Sequence, residues 1–151
     1  MTHTEAGVTI ELTKGNIVKQ PDVEAIVNAA NAQLKTGEAV VSEGHELPNA
    51  HVIHVLGPVY GRDEPSDELL RAGYENALAR AEENGITSVA FPALSTGAFG
   101  YPLDEAARIA VKTILDAAPD LDSVELVRFV LFDEDALDAH EEALSTLRSD
   151  P

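Results

Sequence analysis

The chain has 151 residues, 44% of them hydrophobic, and no cysteine. That is enough for one core and one domain, 1–151, and it excludes disulfide frameworks, thiolate-zinc sites and a cysteine nucleophile. Twenty-seven acidic residues against 10 basic leave a formal net charge of −17, which repels phosphate backbones and argues against a nucleic-acid partner. No apolar run approaches the ~20 residues of a membrane span, and no basic-then-apolar leader opens the chain, so a soluble, cytoplasmic protein is expected. Only four of the basic residues are Lys, and the acids spread along the whole chain. This reads as a halophilic solubility adaptation, because salt screens the self-repulsion of such a surface.

In chain order, Val8–Leu12 alternates apolar and polar residues and predicts a strand. Glu24–Ala30 is a short apolar run that suits a buried strand, and Glu38–Ser42 is a weaker strand. His51–Leu56 is another, closed by Gly57-Pro58. Gly61 to Pro65 reads as an exposed loop. Helical period begins at Ser66 and runs to Glu83, with Leu70, Tyr74, Leu78 and Ala81 on one face. Thr87–Phe91 is a fifth strand. A second helix over Leu103–Ala118 turns Leu103, Ala107, Ala110, Val111, Ile114 and Ala118 inward. Val124–Phe132 completes six strands, and a third helix over Glu134–Leu147 turns Leu137, His140, Leu144 and Leu147 inward. Strands first, then strands alternating with helices, predict an α/β sheet covered by helices.

The stretch Phe91-Pro-Ala-Leu-Ser-Thr-Gly-Ala-Phe-Gly-Tyr-Pro102 links a buried strand to a helix. Open α/β sheets bind ligands at such a place, and free N–H groups at a helix start favour anions. Gly97 and Gly100 allow close approach and positive φ, and Ser95 and Thr96 add hydroxyl donors. Phe99 and Tyr101 can flank a sugar or close over the loop. On spacing alone, phosphate binding and a plain strand-to-helix turn are equally good readings. A Ser95 nucleophile is disfavoured, since Ala93 replaces the first Gly of G-x-S-x-G. His51 and His54, three apart on a strand, point to opposite faces and cannot share a metal. His45 sits undecided in a Gly-His-Glu turn.

Val27-Asn-Ala-Ala-Asn31, His51-Val-Ile-His-Val-Leu-Gly-Pro58, the Phe91–Pro102 stretch and Phe129-Val-Leu-Phe-Asp133 occur together and in order. In this combination, over nearly the whole chain, the sequence resembles the macro domain. The resemblance implies a three-layer α/β/α fold around a mixed, mostly parallel six-stranded sheet. It also implies an ADP-ribose site at the C-terminal strand ends. Ser95, Thr96, Gly97, Ala98, Phe99, Gly100 and Tyr101 would form the loop around the diphosphate, with Phe99 against the distal ribose. Asn31 would hydrogen-bond that ribose, with Asn28 bracing the loop from within. Phe132 matches an aromatic near the adenine, although on the residues alone a core role at a strand end is as good.

Two departures follow from the same comparison. The family's Gly-Asp-Ile reads Gly15-Asn-Ile17 here. The Asn16 amide oxygen can still accept the adenine amino proton, beside Ile17, but without charge assistance. After Asn31-Ala-Gln-Leu34 the family's Gly-rich loop and helix have no match, and Lys35-Thr-Gly-Glu-Ala39 follows at once. That loop is half of the phosphate cradle and carries the acid of the hydrolase branches; Glu38 is the nearest acid in sequence. The resemblance therefore implies a binder of ADP-ribose or of an ADP-ribosylated protein. Hydrolysis of an ADP-ribose ester such as O-acetyl-ADP-ribose, and a ligand-free interaction domain, are the alternatives. No cofactor or metal is expected. A helix lost from one sheet face would expose an apolar patch, for which a homodimer is one remedy.

Overall fold

The computed structural model describes residues 1–29, 34–44 and 46–148. Its strands are β1 (Thr2–Glu5), β2 (Val8–Lys14), β3 (Ala25–Ala29), β4 (Ala39–Glu43), β5 (His51–Val55), β6 (Ser88–Phe91) and β7 (Leu126–Leu131). Helices α1 (Ser66–Glu83), α2 (Leu103–Ala117) and α3 (Glu134–Leu147) follow the expected ranges closely. The sheet order is β1-β2-β7-β6-β3-β5-β4. The five inner strands run parallel, while β1 and β4 pair antiparallel at the two edges.

The α/β class and the mixed sheet are as expected, but there are seven strands rather than six. β1 escapes sequence reading because Thr-His-Thr-Glu carries no apolar alternation and sits half exposed. It is held by pairing with β2 across a two-residue turn, Ala6-Gly7, in which both φ angles are positive (50° and 84°), the hairpin geometry that matches strand twist.

Val8, Ile10 and Leu12 of β2 and Val127, Phe129 and Leu131 of β7 point to the helical face, as do Val89 and Phe91 of β6. All three helices pack on this face, with α1 over β4 and β5 and α3 over β2 and β7. The rings of Tyr74, Phe91 and Phe129 meet at centroid distances of 5.2, 6.1 and 5.9 Å. Each such ring contributes roughly 1.5–3 kcal/mol by leaving water.

No helix among the described residues covers the opposite face, as the skipped segment implies for the second helical layer. The expected apolar patch is nonetheless small. Ile26, Val52, Ala90 and Val130 are buried there beneath Ile17, Val23 and Leu47, while Val40 on β4, at 42%, and Val18 in the β2–β3 loop, at 43%, are well exposed. The loop between β2 and β3 thus takes over part of a helix's work. No helix among the described residues is long and apolar enough to cross a membrane.

Candidate functional site

The C-terminal ends of β2, β7 and β6 open onto one cleft of about 720 Å³. The exit of β2 supplies Lys14, Gly15, Asn16 and Ile17; that of β6 supplies Pro92, Ala93, Thr96 and Gly97. Val130, Phe132 and Asp133 come from β7 and its exit, and Leu103 and Ala136 from the first turns of α2 and α3. Two helix N-termini therefore meet here. Asp133 caps α3 by accepting from the Ala136 N–H at 2.9 Å. The cap position of α2 is Pro102, with no side-chain bond, so its first N–H groups stay available to an anion.

The loop after β6 is held from inside. The Tyr74 hydroxyl accepts from Leu94 N–H at 3.1 Å, and burial raises the Tyr74 pKa, against that hydrogen bond, so the phenol stays neutral. Tyr101 N–H donates to Ser95 O at 2.9 Å and Gly100 N–H to Gly97 O at 3.0 Å. Phe99 O accepts from Tyr60 N–H at 2.9 Å. The N–H groups of Thr96, Gly97, Ala98 and Phe99 have no acceptor among the described residues. Four successive unpaired donors beside an uncapped helix start make an anion cradle.

Several expectations about single side chains need correction. Tyr101 is buried, with its ring 4.8 Å from that of Tyr60, so it faces the core and not the cleft. The Thr96 hydroxyl donates to Ala93 O at 2.9 Å and is spent inside the loop. Gly100 has positive φ (71°), but Gly97 does not; the second left-handed residue is Ser95, at 66°. Ser95 is buried, its Oγ lacks a partner among the described residues, and a Cβ at Gly57 would overlap it. Ala98 is exposed and Phe99 half buried, and neither lines the cleft.

On the other wall, Asn16 Oδ1 accepts from Val18 N–H at 3.1 Å, leaving one lone pair for a ligand. Ile17 lies beside it. Phe132 is 89% exposed, which removes the core reading of this residue. Asn31 lies outside the described residues, as does His45. Asn28 is exposed instead of buried, with Nδ2 3.3 Å from His54 Nδ1, and His54 Nε2 lies 2.8 Å from Ser42 Oγ. His51 and His54 occupy opposite faces of β5, and no metal-holding group of three His, Asp or Glu occurs among the described residues. Glu38 stands at the start of β4, away from the cleft lining. Sequence reasoning missed Lys14 and Asp133 as cleft residues, although both end or follow strands already assigned. Lys14 pairs with Glu134 at 3.2 Å.

The sequence model of the Macro domain matches residues 15–110, and the chain belongs to that family. It is 35% identical to the O-acetyl-ADP-ribose deacetylase of Salmonella newport, over 94% of this chain and 97% of the relative. It is also 35% identical to a macro domain-containing protein of Streptomyces griseus, over 94% and 98%. Those alignments run to 175 and 176 residues, longer than the 151 of this chain, so the relatives carry internal residues with no counterpart here. The Oceanobacillus iheyensis macrodomain with ADP superposes with a TM-score of 0.93 at 31% identity, over 97% of this chain and 95% of that one. The Trypanosoma brucei macrodomain in complex with ADP-ribose gives 0.83 at 29%, over 89% and 68%.

Proposed function

We propose that the protein binds ADP-ribose, free or attached to protein, in the cleft above β2, β7 and β6. The observation that carries this is the unpaired N–H groups of Thr96 and Gly97, which line the cleft, continued along the loop by those of Ala98 and Phe99. They meet the diphosphate charge without a cation, while Phe132 and Ile17 offer apolar surface to the adenine and Asn16 one acceptor. The family's solved relatives with ADP and ADP-ribose support the ligand class.

Ester hydrolysis is the second reading, favoured by the name of the Salmonella relative. Against it, the one acid lining the cleft among the described residues is Asp133, whose carboxylate already caps α3. Binding therefore comes first. Self-association through the sheet face that bears no helix among the described residues has little apolar surface behind it, since its buried residues lie under the β2–β3 loop and Val40 and Val18 are exposed singly; a light-scattering mass in molar KCl decides it.

The test is calorimetric titration of ADP-ribose in molar KCl, with AMP and ribose 5-phosphate as controls. ADP-ribose should saturate the site more tightly than either fragment. Gly97→Glu should weaken it by about 100-fold, as a like charge set against the diphosphate costs several kcal/mol. The melting temperature should hold, because a Cβ at Gly97 meets nothing within 4 Å. A folded protein that gives no heat at several temperatures overturns the reading.

A further inference from the structure

The loop from Gly15 to Glu24 has no helix or strand of its own, yet its first residues line the cleft. Besides Asn49, which donates to Gln20 O and Val23 O, and the Lys19 N–H on Asn16 O, it is held by Arg128, in the middle of β7, with its side chain only 12% exposed. The guanidinium donates through Nη1 and Nη2 to both carboxylate oxygens of Asp22, at 2.8 and 2.7 Å. Nη1 also donates to Gln20 Oε1 at 3.0 Å, and Nε donates back to Glu11 on β2 at 2.8 Å. The far end of Gln20 donates to the backbone carbonyl of Asn16, from Nε2 at 3.0 Å. Arginine has no acceptor, so the Gln20 amide can stand in only one orientation: oxygen toward Arg128, nitrogen toward Asn16.

Phe132 directly follows the last residue of β7, the strand that carries Arg128. Phe132 is thus placed by β7, and Asn16 is tied to the same strand through two side chains. We propose that Arg128 and Gln20 are positioning residues that fix Asn16–Ile17 relative to Phe132 in the cleft lining, and so make the cleft selective for an adenine ring. The inference rests on the ADP-ribose reading and adds to it the source of base selectivity. It requires that the relay act on the base and not on the diphosphate, since residues 96–99 lie on the separate loop after β6.

The experiment uses two variants of the full chain, each checked by its thermal melt. Gln20→Met removes both bonds of the relay. Gln20→Glu keeps an acceptor for Arg128 but replaces the donor to Asn16 with a carboxylate oxygen. Titrations with ADP-ribose, AMP and inorganic pyrophosphate then separate base from phosphate. Both variants should weaken ADP-ribose and AMP by about tenfold, the size of one hydrogen bond's worth of positioning, and leave pyrophosphate unchanged. Gln20→Glu is the stricter case, because a purely structural tie to Arg128 would survive in it and leave affinity at the wild-type value. Unchanged AMP binding in either folded variant, or equal weakening of all three probes, overturns the inference. Wild-type protein that binds no ADP-ribose overturns the functional reading as well, and so is told apart from failure of the relay alone.

Discussion

Phe132 stands 89% exposed next to Leu131, which is fully buried. Leaving it in water forgoes roughly 1.5–3 kcal/mol of burial, so its value lies in what it can touch. Phe132→Ala should change stability by no more than about 0.5 kcal/mol in thermal or urea denaturation. The same variant should weaken ADP-ribose about tenfold, the scale of stacking one base on an aromatic ring. A loss of stability in place of a loss of affinity would return Phe132 to a structural role. At this scale the sequence was legible in part. The small residues of Ser95–Gly100 marked a loop that could approach an anion. Which of its polar groups remained free was not legible, because the partners that consume the others are distant or hidden. Tyr101 is covered by Tyr60, some forty residues earlier in the chain, and nothing in local spacing names that partner.

Between α1 and β7, one carboxylate organises a whole turn. Glu82 accepts from the N–H groups of Asp122, Ser123 and Val124 and from the Ser123 hydroxyl, at 2.6 to 3.2 Å. Burial works to raise its pKa, but these hydrogen bonds outweigh it and leave the pKa below the ordinary 4.5. A lowered folded-state pKa means that the stabilisation is complete above the unfolded value and is lost as pH falls through the folded one. Glu82→Gln should therefore cost about 1–3 kcal/mol near pH 7, for replacing a charged acceptor of several bonds. The gap between variant and wild type should narrow as the pH falls below the ordinary 4.5 and through the lowered folded-state value, where the wild-type carboxylate becomes protonated as well. Urea titrations at neutral pH and down an acid series measure this, and a gap independent of pH would assign the effect to packing. Elements with strong apolar period, such as α1 and α2, were legible nearly to the residue. The turn at 122–124 and strand β1 were not, since both rest on hydrogen bonds between polar segments.

Across the whole molecule, the recognisable motifs pointed to the family and to its α/β sheet, and the matching family model and structures agree. How the face without a helix among the described residues is covered was not legible: Arg128 and Asn49 fasten the β2–β3 loop there. Asn49 Nδ2 donates to Gln20 O and Val23 O at 2.7 and 2.8 Å, and both ties cross large sequence separations.

The cradle of backbone N–H groups sits inside a chain of net charge −17. An anionic ligand is thus pushed away at long range and held at contact, and the two forces have different reach. Raising KCl from about 0.1 to 1 M shortens the screening length from about 10 to 3 Å. Arrival should speed up with salt while departure, governed by hydrogen bonds at contact, stays within about twofold. Stopped-flow traces of ADP-ribose binding across that range would show it, and an association rate that falls with salt would mean that a cation leads the ligand in. Salt then acts on the encounter and not on the grip, so ligand would reach this protein fastest in concentrated brine.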